Sequence, residues 1–441
     1  MKNIMKIVSA FFVLIFLGIF ASCEKANPTD TKINPFVNDR DERNMIVIIS
    51  DIHLGADLAY AECEENLPAL EKLLRQIKES PNVKELVIAG DLIDEWFIPA
   101  TIDPYQGQDQ LNFIQRVATA NKGVFDLINN IIQEGKIRVT YVPGNHDLTV
   151  TEESIESVFP GINQARDPML GLGTYSPVGY PQIAIEHGHR YNFFCAPDPI
   201  SNQDIAPGTI SPPGYFFTRI AALHVAQGYP AAIDILPNVT PNTNGDISQN
   251  LLYAYWKVWE KTLLKFSINN RFDEDIIVTN FDGFTGSFSV NDVLPYQTTP
   301  GGLIEVNLYN GIQDTWEERQ TRNGVAVHIP VVRAISKSAD EVESGEQAKI
   351  QYFMNPNSNK RIVIFGHTHV AKMETSTNHL GQKTIYANSG TWIDENPISS
   401  TNMNFVVITP QNAYITTQTL VKLYSFENEV VKLVDEESIR F

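Results

Sequence analysis

The chain has 441 residues, 43% of them apolar and 19% charged, with a formal net charge of −19. That composition supports a large buried core and excludes global disorder. It also lacks the Lys/Arg surplus with which nucleic-acid and anionic-membrane binders displace counterions, so no nucleic-acid-binding surface is expected. An anionic substrate stays open, because bound divalent cations can reverse the local field in an acidic protein.

At the amino terminus, Lys2 and Lys6 precede an apolar run, IVSAFFVLIFLGIFAS, that ends at Cys23. The run is short for a spanning helix and reads as an export signal over residues 1–23. Ala21 and Ser22 directly before Cys23 resemble a bacterial lipobox, in which the cysteine is lipidated. The expectation is an exported lipoprotein of a bacterial cell envelope, touching the membrane only through lipid at Cys23. Simple secretion and an uncleaved anchor are the alternatives. Residues 24–44 are polar, contain proline and lack apolar periodicity, so they read as a tether. Cys63 and Cys195 could pair in an oxidising compartment or remain buried thiols.

MIVIIS (45–50) is a continuous apolar run, as in a strand covered on both faces. Leu67, Leu70, Leu74 and Ile77 then repeat at helical spacing, with Asn66 as a candidate cap. ELVIAG (85–90) is a second buried strand. Residues 111–135 read as helix, broken near Gly123 and capped by Gly135. IRVTYVPG and QIAIEHG follow as strands, and this alternation predicts a parallel or mixed α/β sheet. Residues 196–355 are rich in Pro, Gly and Asn and contain two helical stretches, FFTRIAALHVAQ and ISQNLLYAYWKVWEKTLLKF. The strand pattern resumes with RIVIFG and TIYANSG. NFVVITPQ, AYITTQTL and VKLYSF suggest a closing antiparallel meander. The reading is one catalytic domain over 45–441, interrupted by an insertion at about 196–355.

Each buried strand ends in a polar motif: SDIHLG, GDLID, GNHD, EHGH and GHTH. Residues two apart on extended backbone point the same way, so Asp51 with His53 and His367 with His369 each form a pair. The carboxyl ends of strands are where open α/β sheets place their sites. Six of the nine histidines fall in these motifs. One such histidine is more often structural, but five motifs in series make that reading poor. Mixed oxygen and nitrogen ligands without thiolate suit divalent Mn, Fe or Zn, and there are enough for two ions.

In this order the motifs resemble the calcineurin-like metallophosphoesterases, over residues 45–195 and 361–400. The resemblance implies two stacked mixed β-sheets flanked by helices, an α/β/β/α sandwich, and a dinuclear metal centre on the loops. Carried over by position, Asp51, His53 and His369 would bind one metal, and Asn145, His187 and His367 the other. Asp91 would bridge them. His146 would stabilise the phosphate or protonate the leaving oxygen, with Asp94 orienting its ring. The implied activity is phosphoester hydrolysis by a metal-bridging hydroxide. Protein serine/threonine phosphatases carry an arginine where Glu95 stands, which speaks against a phosphoprotein substrate. DIHLG and GDLIDEW are closer in style to UDP-2,3-diacylglucosamine pyrophosphatases.

The expected substrate is a phosphodiester or pyrophosphate, nucleotide- or lipid-linked. Alternatives are a phosphate-scavenging phosphomonoesterase and a non-catalytic surface binding lipoprotein on the same fold. His189 is a minor ligand candidate and Glu186 a structural strand-end residue. His224, His328 and His379 have no partners in sequence. Tyr255, Trp256 and Trp259 share one helical segment. They read as the insertion's own core or, alternatively, as a lid contacting the substrate.

Overall fold

The computed structural model describes residues 34–38, 42–232, 234–340, 342–396, 398–399, 401–411, 418–427 and 430–441. The expected export signal, Cys23 and most of the expected tether lie outside the described residues.

The chain begins with β1 (Met45–Ile49), α1 (Leu67–Glu79), β2 (Val83–Ala89), α2 (Gln110–Ala120), α3 (Lys122–Glu134), β3 (Arg138–Val142), α4 (Glu152–Val158), β4 (Asn163–Gln164) and β5 (Ile183–Ile185). The break in the long helical stretch falls at Asn121, two residues before Gly123. There the Asn121 side chain turns inward and donates to the carbonyls of Gly55 and Val117, both at 2.9 Å. Gly135 ends α3 in the left-handed region, as its position suggested. Asn66 does not cap α1 with its side chain, which instead donates to Trp392 O and Ile393 O.

Residues 196–355 carry α5 (Gly214–Ala226), α6 (Ile247–Lys265), the hairpin β6 (Ile277–Phe281) and β7 (Phe284–Phe288), α7 (Val290–Val293), the short pair β8 (Tyr296–Gln297) and β9 (Ile304–Glu305), α8 (Trp316–Arg322), α9 (Val331–Ser336) and α10 (Glu343–Ala348). Two fully buried arginines fasten this segment down. Arg219 donates to the carbonyls of Ile98 (2.7 Å), Ile102 (2.6 Å) and Val278 (2.9 Å). Arg319 donates to Pro197 O at 3.0 Å. These donors satisfy buried backbone carbonyls, and a further Arg219 nitrogen donates to the Tyr215 hydroxyl.

The remaining strands are β10 (Ile362–Phe365), β11 (Lys372–Thr377), β12 (Lys383–Asn388), β13 (Asn404–Thr409), β14 (Thr419–Glu427) and β15 (Val430–Ile439). Among the described residues they complete two mixed sheets. One has seven strands in the order β15-β14-β13-β1-β2-β3-β4, and the other four in the order β11-β12-β10-β5. β1 to β4 run parallel, as do β5, β10 and β12. The meander differs from its expected form. VKLYSF and the end of AYITTQTL belong to the single strand β14, and its partner β15 reads as polar because much of it faces solvent.

Side-chain alternation sorts the sheets into layers. Ile46, Ile48, Val87, Ala89 and Val142 face Ile183, Ile185, Ile362, Ile364 and Ile385 across an apolar inter-sheet core. The opposite face, with Val47, Ile49, Leu86 and Ile88, packs on α1 through Leu70, Leu74 and Ile77. This is the α/β/β/α arrangement. It brings the carboxyl ends of β1, β2 and β3 in one sheet alongside those of β5 and β10 in the other.

Candidate metal centre

The residues just beyond those strand ends converge. Asp51 and His53 follow β1, Asp91 follows β2, Asn145 follows β3, His187 follows β5, and His367 and His369 follow β10. Asp51, His53, Asp91, His367 and His369 all have positive φ, between 52° and 72°. Non-glycine residues enter this region at a cost, and such strain concentrates where a site demands an exact side-chain position. Two glycines make room for the cluster. A Cβ on Gly144 would sit 2.1 Å from Asp91 Oδ1, and one on Gly366 would sit 2.4 Å from Asp51 Oδ2.

The seven side chains form two groups of donors. In the first, His53 Nε2 lies 3.1 Å from His369 Nε2 and 3.6 Å from Asp91 Oδ2, and His369 Nε2 lies 3.4 Å from Asp51 Oδ1. Ligand atoms of Asp51, His53, Asp91 and His369 all fall within 4.8 Å of one another. In the second, Asn145 Oδ1 lies 3.1 Å from His187 Nε2 and 2.8 Å from His367 Nδ1, and His187 Nε2 lies 3.1 Å from Asp91 Oδ2. Asp91 therefore reaches both groups.

The tautomers fit a cation. His187 Nδ1 donates to Ala89 O at 2.9 Å, which turns its Nε2 lone pair towards the oxygens of Asp91 and Asn145. His53 Nδ1 lies 3.0 Å from Asp94 Oδ2, which turns its Nε2 inward in the same way. Lone pairs facing one another at these distances need a proton or a metal ion between them. Imidazoles fixed through their outer nitrogen by a carboxylate or a carbonyl are the usual mark of metal ligands.

The electrostatics agree. Burial opposes charge on His53, yet the hydrogen bond to Asp94 and the carboxylates of Glu62 and Asp91 raise its pKa to about 10. Burial likewise opposes charge on His187, but Asp91 and Asp51 raise it to about 9. Burial opposes ionisation of Asp91 too, and the neighbouring histidines, His187 foremost, hold it well below the usual carboxylate range. Without a metal, the field of the carboxylates places protons where cations would otherwise sit.

His146 stands beside both groups without joining either. Its backbone N–H donates to Asp91 Oδ1 at 2.8 Å, and its Nδ1 meets Asp94 Oδ1 at 2.9 Å. Burial works against its charge, and Asp94 more than compensates, raising its pKa. Its ring lies beside Trp96, with centroids 5.0 Å apart. His146 and His369, 12% and 18% exposed, open the cluster to solvent.

Three neighbours have other tasks. Asp147 ties the loop by accepting from Gly144 N and Leu92 N. Glu95 is turned inward, accepting from Tyr105, Gln110 and Thr149, and burial pushes its carboxyl up to about 7. Glu186 joins Arg190, Tyr191 and Tyr352 in a buried network. His189 donates through Nε2 to Gly171 O at 2.9 Å and is held by that loop. His224, His328 and His379 make their contacts away from the cluster.

Glu62 was missed in the sequence. Its Oε2 lies 3.3 Å from His53 Nδ1, beside Asp94. It lies in AECEEN, where neighbouring acids leave no distinguishing spacing. For the α6 aromatics the structure bears out the core reading and corrects the lid alternative. Tyr255, Trp256 and Trp259 are at most 1% exposed and form the insertion's own core, with Tyr255 stacked on Phe194 at 5.4 Å. They sit on the inward face of α6. Cys63 and Cys195 are free thiols.

Two cavities meet at His146 and His369. One, about 290 Å³, is also lined by Asp91, Asn145, His367 and Lys337. The other, about 580 Å³, lies between the Glu62 loop and α5.

Residues 45–210 match the family model described as calcineurin-like phosphoesterase. The match contains Asp51, His53, Asp91, Asn145, His146 and His187, and it assigns this region to the calcineurin-like phosphoesterase superfamily. No curated protein matches the chain. Among solved structures, Vps29 complexed with Zn+2 from Entamoeba histolytica is 9% identical, with 89% of this chain and 98% of that one covered and a TM-score of 0.31. The calcineurin-like phosphoesterase YfkN from Bacillus subtilis is 12% identical, with 90% and 89% covered and a TM-score of 0.25. At those scores the two similarities carry no argument about the site.

Proposed function

We propose that the chain is a metal-dependent phosphoesterase that hydrolyses a phosphodiester. The observation that carries the diester reading is the meeting of two separate cavities at His146 and His369. A diester has a substituent on each side of phosphorus, and each cavity accommodates one. A monoester would leave one cavity without a role.

Asp51, His53 and His369 would hold one divalent cation, Asn145, His187 and His367 a second, and Asp91 would serve both. Mn, Fe and Zn all suit this donor set. When bound, the pair supplies Lewis acidity at phosphorus and an activated water. His146 directs the nitrogen not held by Asp94 towards the open face, where it can protonate the departing ester oxygen. Asp94 fixes the ring and supports its charge. The buried carboxylates give the cluster a field that attracts cations first and tolerates an anionic phosphate only after they bind. The amino-terminal run ending at Cys23 supports an exported, lipid-anchored protein as part of the same proposal.

The test is hydrolysis of an aryl phosphomonoester and the corresponding diester by manganese-loaded protein, with Asp91→Ala as control. Diester preference lost in the control supports the reading. Monoester preference would replace it with the scavenging phosphatase, and no turnover of either would favour the binding lipoprotein.

A further inference from the structure

The larger cavity has a consistent chemistry. One wall is apolar, formed by Phe97, Phe217, Ala221, Val225, Tyr229 and Phe266. The other carries Glu62, Glu64, Asp394 and Glu395, and no lysine or arginine is among its lining residues. Its inner end is His146 and His369, so it is continuous with the metal cluster.

The wall is held in place. Phe217 packs on Trp259 with centroids 3.9 Å apart, so the aromatic core of the insertion supports the groove from behind. His224 contacts both Tyr229 and Phe266, at 5.3 and 5.9 Å. Tyr229 has φ of 59° and is 64% exposed. A bulky aromatic held in the left-handed region at a cavity lip is unusual, and backbone strain of this kind recurs at ligand clamps.

We infer that this cavity is the subsite for one arm of the substrate, an apolar, uncharged alkyl or aromatic group esterified to the phosphate. The inference rests on the diester reading and names a substrate class for it. A nucleotide, sugar phosphate or other anionic arm is disfavoured, because no lysine or arginine lines the cavity and the exposed carboxylates of Glu64 and Glu395 border it, while Glu62 is turned onto His53 and Asp394 onto the backbone N–H groups of residues 64–66. An apolar arm covers the aromatic wall and gains from leaving water, while the exposed Glu64 and Glu395 keep their solvation. The smaller cavity is lined by Asn192, Ser338, Ser344 and Gln347 and by Lys337 paired with Asp340, and it takes the more polar arm.

The test uses the manganese-loaded full-length protein and 4-nitrophenyl alkyl phosphodiesters with methyl, butyl and octyl arms. A further ester carries an eight-carbon arm ending in a carboxylate. The expected result is a rise in kcat/KM of at least about tenfold from methyl to octyl, consistent with burial of a few methylenes. The terminal carboxylate should erase that rise. Ala221→Trp should erase it by filling the groove, and Val225→Lys should restore turnover of the carboxylate arm. Diesters cleaved at rates independent of arm length, or fastest with the anionic arm, would overturn the subsite while leaving the diester reading intact. Cleavage of 4-nitrophenyl phosphate with no diester turned over would overturn the diester reading. The groove is then judged by calorimetry with methylphosphonate and octylphosphonate. At least about tenfold tighter binding of octylphosphonate supports an apolar subsite, and equal affinity overturns it.

Discussion

The carboxylate of Asp94 divides between two histidines with different duties: Oδ1 meets His146 Nδ1 at 2.9 Å and Oδ2 meets His53 Nδ1 at 3.0 Å. One ring borders both cavities and the other points into the candidate metal cluster. Burial raises the cost of a charge on Asp94, yet both histidines hold its pKa below the ordinary value, His146 most strongly. Asp94 also accepts from Trp96 N and Phe97 N, at 2.8 and 2.7 Å, so its own position is fixed.

His146→Ala and Asp94→Ala should therefore differ. Loss of His146 should lower kcat by about 10²–10⁴-fold with metal content retained, as for removal of a general acid. Loss of Asp94 should lower kcat and also weaken metal binding by about 10–100-fold, because His53 loses its outer partner. Metal analysis of the purified variants beside steady-state kinetics separates the two outcomes. Equal metal loss in both would show that His146 belongs to the metal cluster.

Glu62→Gln should weaken metal affinity by about tenfold through the same histidine. The charge near His53 falls while the side chain keeps its shape. Titration of the metal-free protein with Mn²⁺ reads the effect, and unchanged affinity would make Glu62 a bystander.

Metal loading should release protons. His53 and His187 have pKa values raised to about 10 and about 9 by their carboxylate neighbours, so both are protonated at neutral pH when no metal is bound. Metal must displace those protons, so affinity should rise with pH up to roughly pH 9–10. The sign for folding is opposite. A histidine pKa raised in the folded state stabilises the metal-free protein fully below the ordinary value near 6.5, and that stabilisation is lost as pH rises through 9–10. Calorimetry at pH 7 in buffers of different ionisation enthalpy should show about two protons released.

Gly144→Ala should cost metal binding outright. Its Cβ would meet Asp91 Oδ1 at 2.1 Å and Asp91 N at 2.4 Å, and backbone cannot step aside as a flexible side chain can. The variant should fold, since Gly144 lies at the site rim of β3, but retain little metal. Full metal occupancy would mean that the loop is softer than its contacts indicate.

Trp256→Ala tests the core reading of the α6 aromatics against the lid. A fully buried tryptophan replaced by alanine should cost about 3–5 kcal/mol in stability. A small stability change with a large change in substrate preference would return Trp256 to the substrate side.

What was legible in the sequence follows from how the fold delivers its polar groups. Parallel strands buried on both faces are continuous apolar runs, so their ends are sharp, and Asp51, Asp91, Asn145, His187 and His367 each stand at such an end. The groups they form depend on two sheets converging, which no single motif encodes. Glu62 was illegible because it reaches His53 from a loop of similar acids. β15 was illegible because exposed Glu and Asp side chains hide an edge strand that pairs with β14 through its backbone. The aromatics of α6 drew attention by composition, but the groove is made by Phe217, Tyr229 and Phe266. Only the packing of α5 and its following loop against the carboxyl end of α6 brings those three together.

The central claim is metal-dependent cleavage of a phosphodiester at the Asp91 cluster, and the most direct measurement compares 4-nitrophenyl phosphate with bis(4-nitrophenyl) phosphate. The manganese-loaded protein should favour the diester in kcat/KM, and chelation or Asp91→Ala should abolish turnover. Preference for the monoester, or diester hydrolysis that survives both treatments, would contradict it.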